Sequence, residues 1–444
     1  MTPSATSPSA TAIAERERVL EAFLEREQDR LARACHDLAR AFARGGVLIA
    51  HGAGAAVTDA AHVAVEFMHP VIVGKRALPA LAPAGGPERA LAFGGPQDIA
   101  IGMAHEPGRL DAFLEEARRR GTLTIALGAG AERLAADHAF VVPAAAPDIV
   151  QEVQETTYHV LWELVHVFFE HPGLLDDACL TCGDVAVEVE VVAVEGTAAV
   201  VEHGGARETV AVDLVGPVAP GDRLLCHAGV ALERLERAAA PAEATGFLYP
   251  FLEGDERDLE AVLADVRAST LRKGRDAIEL RRTIDADAIA ACAAAVRARL
   301  DAGGRLLAFG NGGSATDAQD LAFDAQAAGW PAVALVDDAP TVTAVANDVG
   351  FENVWARQLI PLGRARDVAI AFSTSGSSPN VLAGLEEARR RGMLTVAVTG
   401  YDGGRLDGAG WLDHHIGVPG DYVPRLQEAH ATISHLLLDR IGRP

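Results

Sequence analysis

Two stretches far apart in the chain carry the same alternation of surface and core positions. "LEEARRRGTLTIALG", Leu114 to Gly128, returns as "LEEARRRGMLTVAVTG", Leu385 to Gly400. In each, apolar positions at helical spacing stand among charged ones, a glycine follows as a helix stop, and an unbroken apolar run then has the length of a buried strand. The flanks repeat as well. "VLIAHGAGAAVTDAAHVAVE" (Val47–Glu66) parallels "LAFGNGGSATDAQDLAFD" (Leu307–Asp324), and "QEVQETTYH" (Gln151–His159) parallels "QEAHATISH" (Gln427–His435). The pattern predicts two copies of one α/β domain. Between them the character changes: "VAVEVEVVAVEG", "AAVVEHGGARETVAVDLV" and "GDRLLCHAGV" are short β-branched runs broken by Gly, Asp and Pro, the pattern of a small all-β module. The expected division is 1–175 for the first α/β copy, 176–240 for the β module, 241–270 for a linker and 271–444 for the second copy.

Composition narrows the function classes. The 444 residues include 49% hydrophobic residues, ample for several cores, and carry a formal charge of −23. Such a negative field opposes binding to nucleic-acid backbones and to acidic membrane surfaces. The first residues, "MTPSATSPSATAIAERERVL", lack a basic cluster followed by an apolar core, and no long apolar run follows, so a cytoplasmic location is expected. Five cysteines, an odd count, argue against a disulfide framework. Cys35 and Cys292 lie in alanine-rich helical stretches and read as core residues.

Candidate chemistry begins at "GNGGSATDAQDLAFD", Gly310 to Asp324, which follows the short apolar run "RLLAF". Strand, glycine turn and helix in that order leave backbone N–H groups converging at a helix N-terminus, where an anion fits. Ser314 stands at the junction. A second turn, "AFSTSGSSPN" (Ala371–Asn380), follows the strand pattern "DVAIAF" and crowds Ser373, Thr374, Ser375, Ser377 and Ser378 together. Hydroxyls with free amides make a phosphate cradle, and ligands of open α/β sheets bind at the carboxyl ends of strands.

"GNGGSATDAQ", "TVTAVANDVGFENVWARQL" and "FSTSGSSPNVLAGLEEARRRGMLTVAVTG" closely resemble the SIS (sugar isomerase) family, phosphoheptose isomerases in particular, over almost all of residues 271–444. The resemblance implies flavodoxin-like sheets in both copies and homo-oligomers with sites between subunits. It also implies a phosphorylated sugar held by Asn311, Gly312, Gly313, Ser314, Ser373, Thr374, Ser375 and Ser378, with Asn347 and Asp348 lining the same pocket. Isomerising an aldose phosphate to a ketose requires a base for the C2 proton and an acid or metal for the carbonyl. Family members carry His and Glu four apart on one helix and Gln and His eight apart on another. In the second copy Gln427 and His435 keep the latter pair, while Asp320 and Asp324 replace the former. Asp324, His435 and Gln427 are therefore the catalytic candidates and Asp320 a metal candidate. Turnover of a sedoheptulose 7-phosphate-type substrate and binding without turnover, as in a sensing scaffold, both remain open. In the first copy Ala56 replaces Ser314 and "GMAHEPGR" replaces the serine turn, which predicts loss of phosphate binding. Its polar quartet is whole: His62, Glu66, Gln151 and His159 could hold a divalent metal such as zinc, or could be relics in a copy kept for dimerisation.

The middle segment, Cys179 to Leu235, opens on "CLTC", continues through "HGGARETVAVDLV" and closes on "GDRLLCHAGVALERL". This resembles the HypC/HupF hydrogenase-assembly chaperones, a small β-barrel family. The resemblance implies an iron–cyanide–carbonyl fragment on Cys179 with His227 nearby, delivered to a [NiFe]-hydrogenase large subunit alongside other maturation proteins. In this chain the cysteine is internal, and Cys182 and Cys226 are added. The sequence thus reads as a hydrogenase maturation protein that also binds a phosphorylated sugar.

Overall fold

The computed structural model describes residues 8–72, 75–175, 187–195, 198–203, 206–212, 215–227, 230–235 and 259–444. Helix α1 (Pro8–Ala43) precedes the first α/β copy, which runs β1 (Leu48–Ala53), α2 (Val57–Met68), β2 (Ala80–Leu81), α3 (Pro87–Ala90), β3 (Ile99–Ala104), α4 (Asp111–Arg120), β4 (Leu123–Ala129), β5 (His138–Val142) and α5 (Pro147–Phe169). Strands β6 (Val187–Glu195), β7 (Ala198–His203), β8 (Ala206–Ala211), β9 (Arg223–His227) and β10 (Val230–Leu235) follow. Helices α6 (Leu259–Arg281) and α7 (Ala286–Asp301) lead into the second copy. It comprises β11 (Leu306–Phe309), α8 (Gly313–Ala327), β12 (Ala332–Ala334), α9 (Ala339–Asp348), α10 (Val354–Leu362), β13 (Val368–Ser373), α11 (Pro379–Arg390), β14 (Leu394–Thr399), β15 (His414–Gly417) and α12 (Val423–Ile441). Local chemistry sets several ends: the Asp285 carboxylate accepts from the N–H groups of Asp287 and Ala288 and caps α7, and Gly121 (φ 76°) terminates α4 in the left-handed region.

The chain forms two compact units, Met1–His166 with Leu263–Pro444, and Val167–Val262. The first contains two five-stranded parallel sheets of the same order, β2-β1-β3-β4-β5 and β12-β11-β13-β14-β15. Strands covered on both faces need apolar side chains at every position, and β3, β13 and β14 are buried throughout. Alternate residues of the second sheet supply two cores. Leu306, Ile370, Phe372 and Val396 pack with α7, α8 and α12 residues on one face, while Leu307, Phe309, Ala369 and Ala397 pack against Trp355, Val381 and Leu385 on the other. The order reverses between β1 and β3 in one sheet and between β11 and β13 in the other, and such switch points are where open α/β sheets bind ligands.

The second unit is built from β6 to β10. Antiparallel pairs join β8 to β7, β7 to β6, β6 to β9 and β9 to β10, and a parallel Val230–Ala211 bridge returns β10 to β8, closing the ring. Val189, Val191, Val201, Val210, Leu224 and Cys226 fill its interior. Among the described residues no helix is long and apolar enough to cross a membrane.

Candidate functional site

Both turns singled out in the second copy fall at its switch point, one after β11 and the other after β13. Gly310 can only be glycine: a Cβ there would stand 2.1 Å from the Ser314 carbonyl oxygen. Gly312 (φ 56°) then reverses the chain into α8, whose first residues are Gly313 and the buried Ser314. Ser373 closes β13 with its hydroxyl buried and without a hydrogen-bond partner. Thr374, Ser375 and Ser378 continue the turn, more open to solvent. The two turns are tied by a reciprocal amide pair, Asn311 Nδ2 to Asn380 Oδ1 at 2.9 Å and Asn380 Nδ2 to Asn311 Oδ1 at 2.8 Å. Asn380 was not among the residues expected from sequence, although it ends the quoted serine turn. Asn347 and Asp348 are exposed at the end of α9, with Asn347 Nδ2 donating to Asp348 Oδ1 at 2.7 Å.

The first copy repeats the turn without its hydroxyl. A Cβ on Gly52 would lie 1.8 Å from the Ala56 carbonyl oxygen, the same close approach as at Gly310, and Ala56 occupies the serine position. A cavity of about 190 Å³ remains there, bordered by His51, Gly52, Val57, Thr58, Ala61 and, from α8, Gln319.

Beneath the two switch points lies a buried polar layer where the copies meet. Helices α5 and α12 exchange equivalent hydrogen bonds: His159 Nδ1 donates to Glu428 Oε1 at 2.9 Å, and His435 Nδ1 donates to Glu152 Oε1 at 2.8 Å. Glu152 also accepts from Arg16 Nε (2.8 Å) and Thr432 Oγ1 (2.7 Å), with Arg281 3.8 Å away. Burial alone would raise the Glu152 pKa, but His435, Arg16 and Arg281 hold it well below the usual carboxylate range. Burial would likewise lower that of His435, yet Asp324 and Glu152 push it up to about 10. The catalytic candidates are thus partly assembled. Asp324 Oδ2 stands 3.6 Å from His435 Nε2, and Gln427 is buried with its Oε1 unpartnered. An imidazolium in that position can donate to a sugar oxygen but cannot take a carbon-bound proton, so the partly exposed Asp324 carboxylate is the stronger base candidate.

In the first copy the ligand atoms of His62, Glu155 and His159 lie within 4.8 Å of one another, all three side chains buried. Among the described residues this is the only cluster of three or more His, Cys, Asp or Glu side chains with such convergence. Of the expected metal ligands, His62 and His159 stand beside Glu155, Glu66 Oε1 lies 3.8 Å from His62 Nε2, and Gln151 is buried on α5. Burial on α8, with Asp59, Asp324 and Asp317 nearby, raises the Asp320 pKa well above the ordinary value. The triad borders the second copy's turn, since a Cβ on Gly313 would meet Gln427 Nε2 at 1.7 Å and His62 Nε2 at 3.0 Å. His430 and Asp317, unremarked in the sequence, lie nearby with His430 Nδ1 3.6 Å from Asp317 Oδ2.

Cys179 and Cys182 lie outside the described residues, and of His227 only its backbone place at the end of β9 is described. Cys226 is 1% exposed inside the strand ring, and burial pushes its thiol pKa up, which suits a packing role.

Residues 272–400 match the SIS domain profile, and residues 185–245 match the HupF/HypC family profile. The phosphoheptose isomerase of Desulfovibrio desulfuricans is 44% identical over 172 residues, which is 37% of this chain and 81% of that protein. The phosphoheptose isomerase of Roseiflexus sp. is 43% identical over 171 residues, 37% of this chain and 86% of its own. A solved structure of a candidate sugar binding protein from Salmonella typhimurium LT2 covers 97% of this chain and 98% of its own with a TM-score of 0.52, at 13% identity, a likeness of fold. These likenesses and the paired switch points define a doubled α/β protein in which only one copy keeps a serine-lined turn. The chain belongs to the SIS-domain family, with phosphoheptose isomerase-like sequence and a HupF/HypC module.

Proposed function

We propose that this protein binds a phosphorylated sugar at the β11/β13 switch point and serves [NiFe]-hydrogenase maturation through its HupF/HypC module. The observation that carries the sugar half is Ser373: a hydroxyl at the carboxyl end of β13, buried and without a partner, facing the chemistry of a phosphate oxygen. Relatives named phosphoheptose isomerases make a seven-carbon sugar phosphate the first ligand to test. The module half rests on the HupF/HypC match, with Cys179 as carrier of an iron–cyanide–carbonyl cargo.

Because Ser373 Oγ bonds to nothing within the fold, Ser373→Ala should leave thermal stability unchanged. It should cost about 1.5–3 kcal/mol of sugar-phosphate affinity, the loss of a hydrogen bond to a charged oxygen. Calorimetry with sedoheptulose 7-phosphate should then show a Kd raised roughly ten- to 150-fold, with the unphosphorylated sugar bound hardly at all. Equal affinity for the two sugars would remove the assignment.

A second reading, isomerisation, is favoured by the pairing of Asp324 with His435 across 3.6 Å. It predicts ketoheptose phosphate turnover, followed by proton NMR, that Asp324→Asn abolishes while binding persists. Binding without any turnover in the unmodified protein would leave the chain a phosphosugar-responsive scaffold.

A further inference from the structure

A cavity of about 520 Å³ opens at the carboxyl ends of β4 and β5, away from both switch points. Its walls come from α1, from the loop after β4 and from β5, and three arginines line it, Arg26, Arg30 and Arg133. The two carboxylates beside them are committed elsewhere. Glu27, its side chain 5% exposed, accepts from Arg26 Nε at 2.8 Å and from Arg30 Nη1 at 2.9 Å. Glu132 turns back into its own loop and accepts from the N–H groups of Ala129 (2.9 Å) and Gly108 (2.8 Å), which fixes the turn that carries Arg133. Arg26 also donates to the Val141 carbonyl at 2.9 Å and lies over the Phe23 ring, while Arg30 lies over the Phe140 ring, each guanidinium carbon 5.5 Å from the ring centroid. Held so, both side chains are still about half exposed. Arg133 is exposed, with no hydrogen bond or ion pair among the described residues. Three guanidiniums against two committed carboxylates make the cleft locally positive on a chain whose formal charge is −23.

We propose that this cleft binds a flat heterocycle bearing a phosphoryl group, a ligand of the nucleoside monophosphate class. Planar guanidiniums stack on aromatic faces, and with Phe23 and Phe140 on one side of Arg26 and Arg30 the opposite side is left for a second ring. Because Glu27 and the two phenyl rings already fix these side chains, binding costs them little rotamer freedom. Arg133 supplies the forked donor pair that suits a phosphate. Leu134, Val141 and Pro143 add an apolar wall, and the volume is that of a small-molecule site. The second copy cannot offer the same cleft: with the copies aligned on Gly52 and Gly310, Arg26 and Arg30 correspond to Ile284 and Ala288. The site thus belongs to the first copy alone and does not rest on sugar binding at β11/β13.

The test uses the full-length chain with saturating sedoheptulose 7-phosphate, so that the serine-lined turn is closed to the nucleotide's phosphate. Calorimetric titration with adenosine 5′-monophosphate (AMP) should give one equivalent per chain, and adenosine, which lacks the phosphoryl group, should bind at least about tenfold more weakly. Arg133→Ala, an exposed substitution, should raise the AMP Kd by about tenfold or more while leaving the melting temperature and the affinity for sedoheptulose 7-phosphate unchanged. Arg30→Lys keeps the charge but loses the planar face, so it too should weaken AMP. Failure of the sugar phosphate to bind would count against the sugar reading alone, because the Arg133→Ala comparison still locates the nucleotide. No AMP bound, AMP displaced by the sugar phosphate, adenosine bound as tightly as AMP, or parental AMP affinity in either folded variant would overturn the proposal.

Discussion

Glu152→Ala is expected to destabilise the first unit by about 3–5 kcal/mol, the usual cost of removing one partner from a buried ionic group. Glu152 is 1% exposed and serves Arg16, Arg281, His435 and Thr432 at once, so its loss removes a buried counter-charge shared by two guanidiniums and an imidazolium, leaving Arg16 to Asp148 and His435 to Asp324 3.6 Å away. Arg16 comes from α1, Arg281 from α6, and Thr432 and His435 from α12, so one carboxylate on α5 fastens three other helices. Denaturant unfolding measures the loss, and a change below 1 kcal/mol would mean that the network relaxes to solvent.

The same network sets a pH dependence whose direction is fixed by its members. Glu152 is depressed in the fold, so its contribution is present above the ordinary carboxylate pKa and is lost as acid protonates it. His435 is raised to about 10, so its contribution is complete below about 6.5 and is lost as pH climbs toward 10. The groups facing His435 are Glu152 on α5 and Asp324 on α8, with Arg16 and Arg281 beyond Glu152. The stability difference between the parent and His435→Gln should therefore be largest near pH 6 and shrink on the alkaline side. A difference that stays flat from pH 6 to 10 would contradict an imidazolium at this position.

The doubled architecture was legible because repetition reaches the details that set it. The Asp98 carboxylate accepts from the N–H of Val47 beside β1, as Asp367 accepts from that of Arg305 beside β11. Thr124 and Asp137 exchange hydrogen bonds across β4 and β5, as Thr395 and Asp413 do across β14 and β15. Apolar runs, turn glycines and such side-chain latches are local, so a linear reading finds them. The polar layer between the copies is a product of packing one copy on the other. Glu152 and Glu428 sit beside Gln151 and Gln427 inside the quoted repeat, yet nothing local says that each reaches the opposite copy's histidine. Glu155 is harder still: its counterpart is Ala431, so comparing the copies marks it as a difference without placing it beside His62 and His159. A carboxylate four residues after Gln151 and four before His159 on one helix shares their face, and that spacing was the available signal. The amide pair Asn311–Asn380 was missed for a similar reason, since it joins two turns 69 residues apart.

Cys179→Ala is expected to abolish hydrogenase maturation while leaving phosphosugar affinity unchanged. Three cysteines belong to the central segment, Cys179, Cys182 and Cys226. Soft low-spin iron requires an ionised, reachable thiolate. Cys226 is poorly suited, for it packs among Val189, Val201 and Leu224 inside the strand ring and burial holds its proton on. Its replacement by Ala should loosen the ring through lost packing, a stability effect that appears in melting curves. Cys179 opens the segment that resembles the assembly chaperones. The β11/β13 turns belong to the other compact unit, so sugar-phosphate affinity should not follow the loss of its thiol. The measurement is hydrogenase activity in cells whose only copy carries Cys179→Ala, paired with calorimetry of the purified variant. Lost activity with unchanged sugar-phosphate affinity is the expected result, and Cys182→Ala should fall between the variant and the parent. Full hydrogenase activity in the Cys179→Ala cells would reduce the module to a docking element and return the function to the sugar-binding unit.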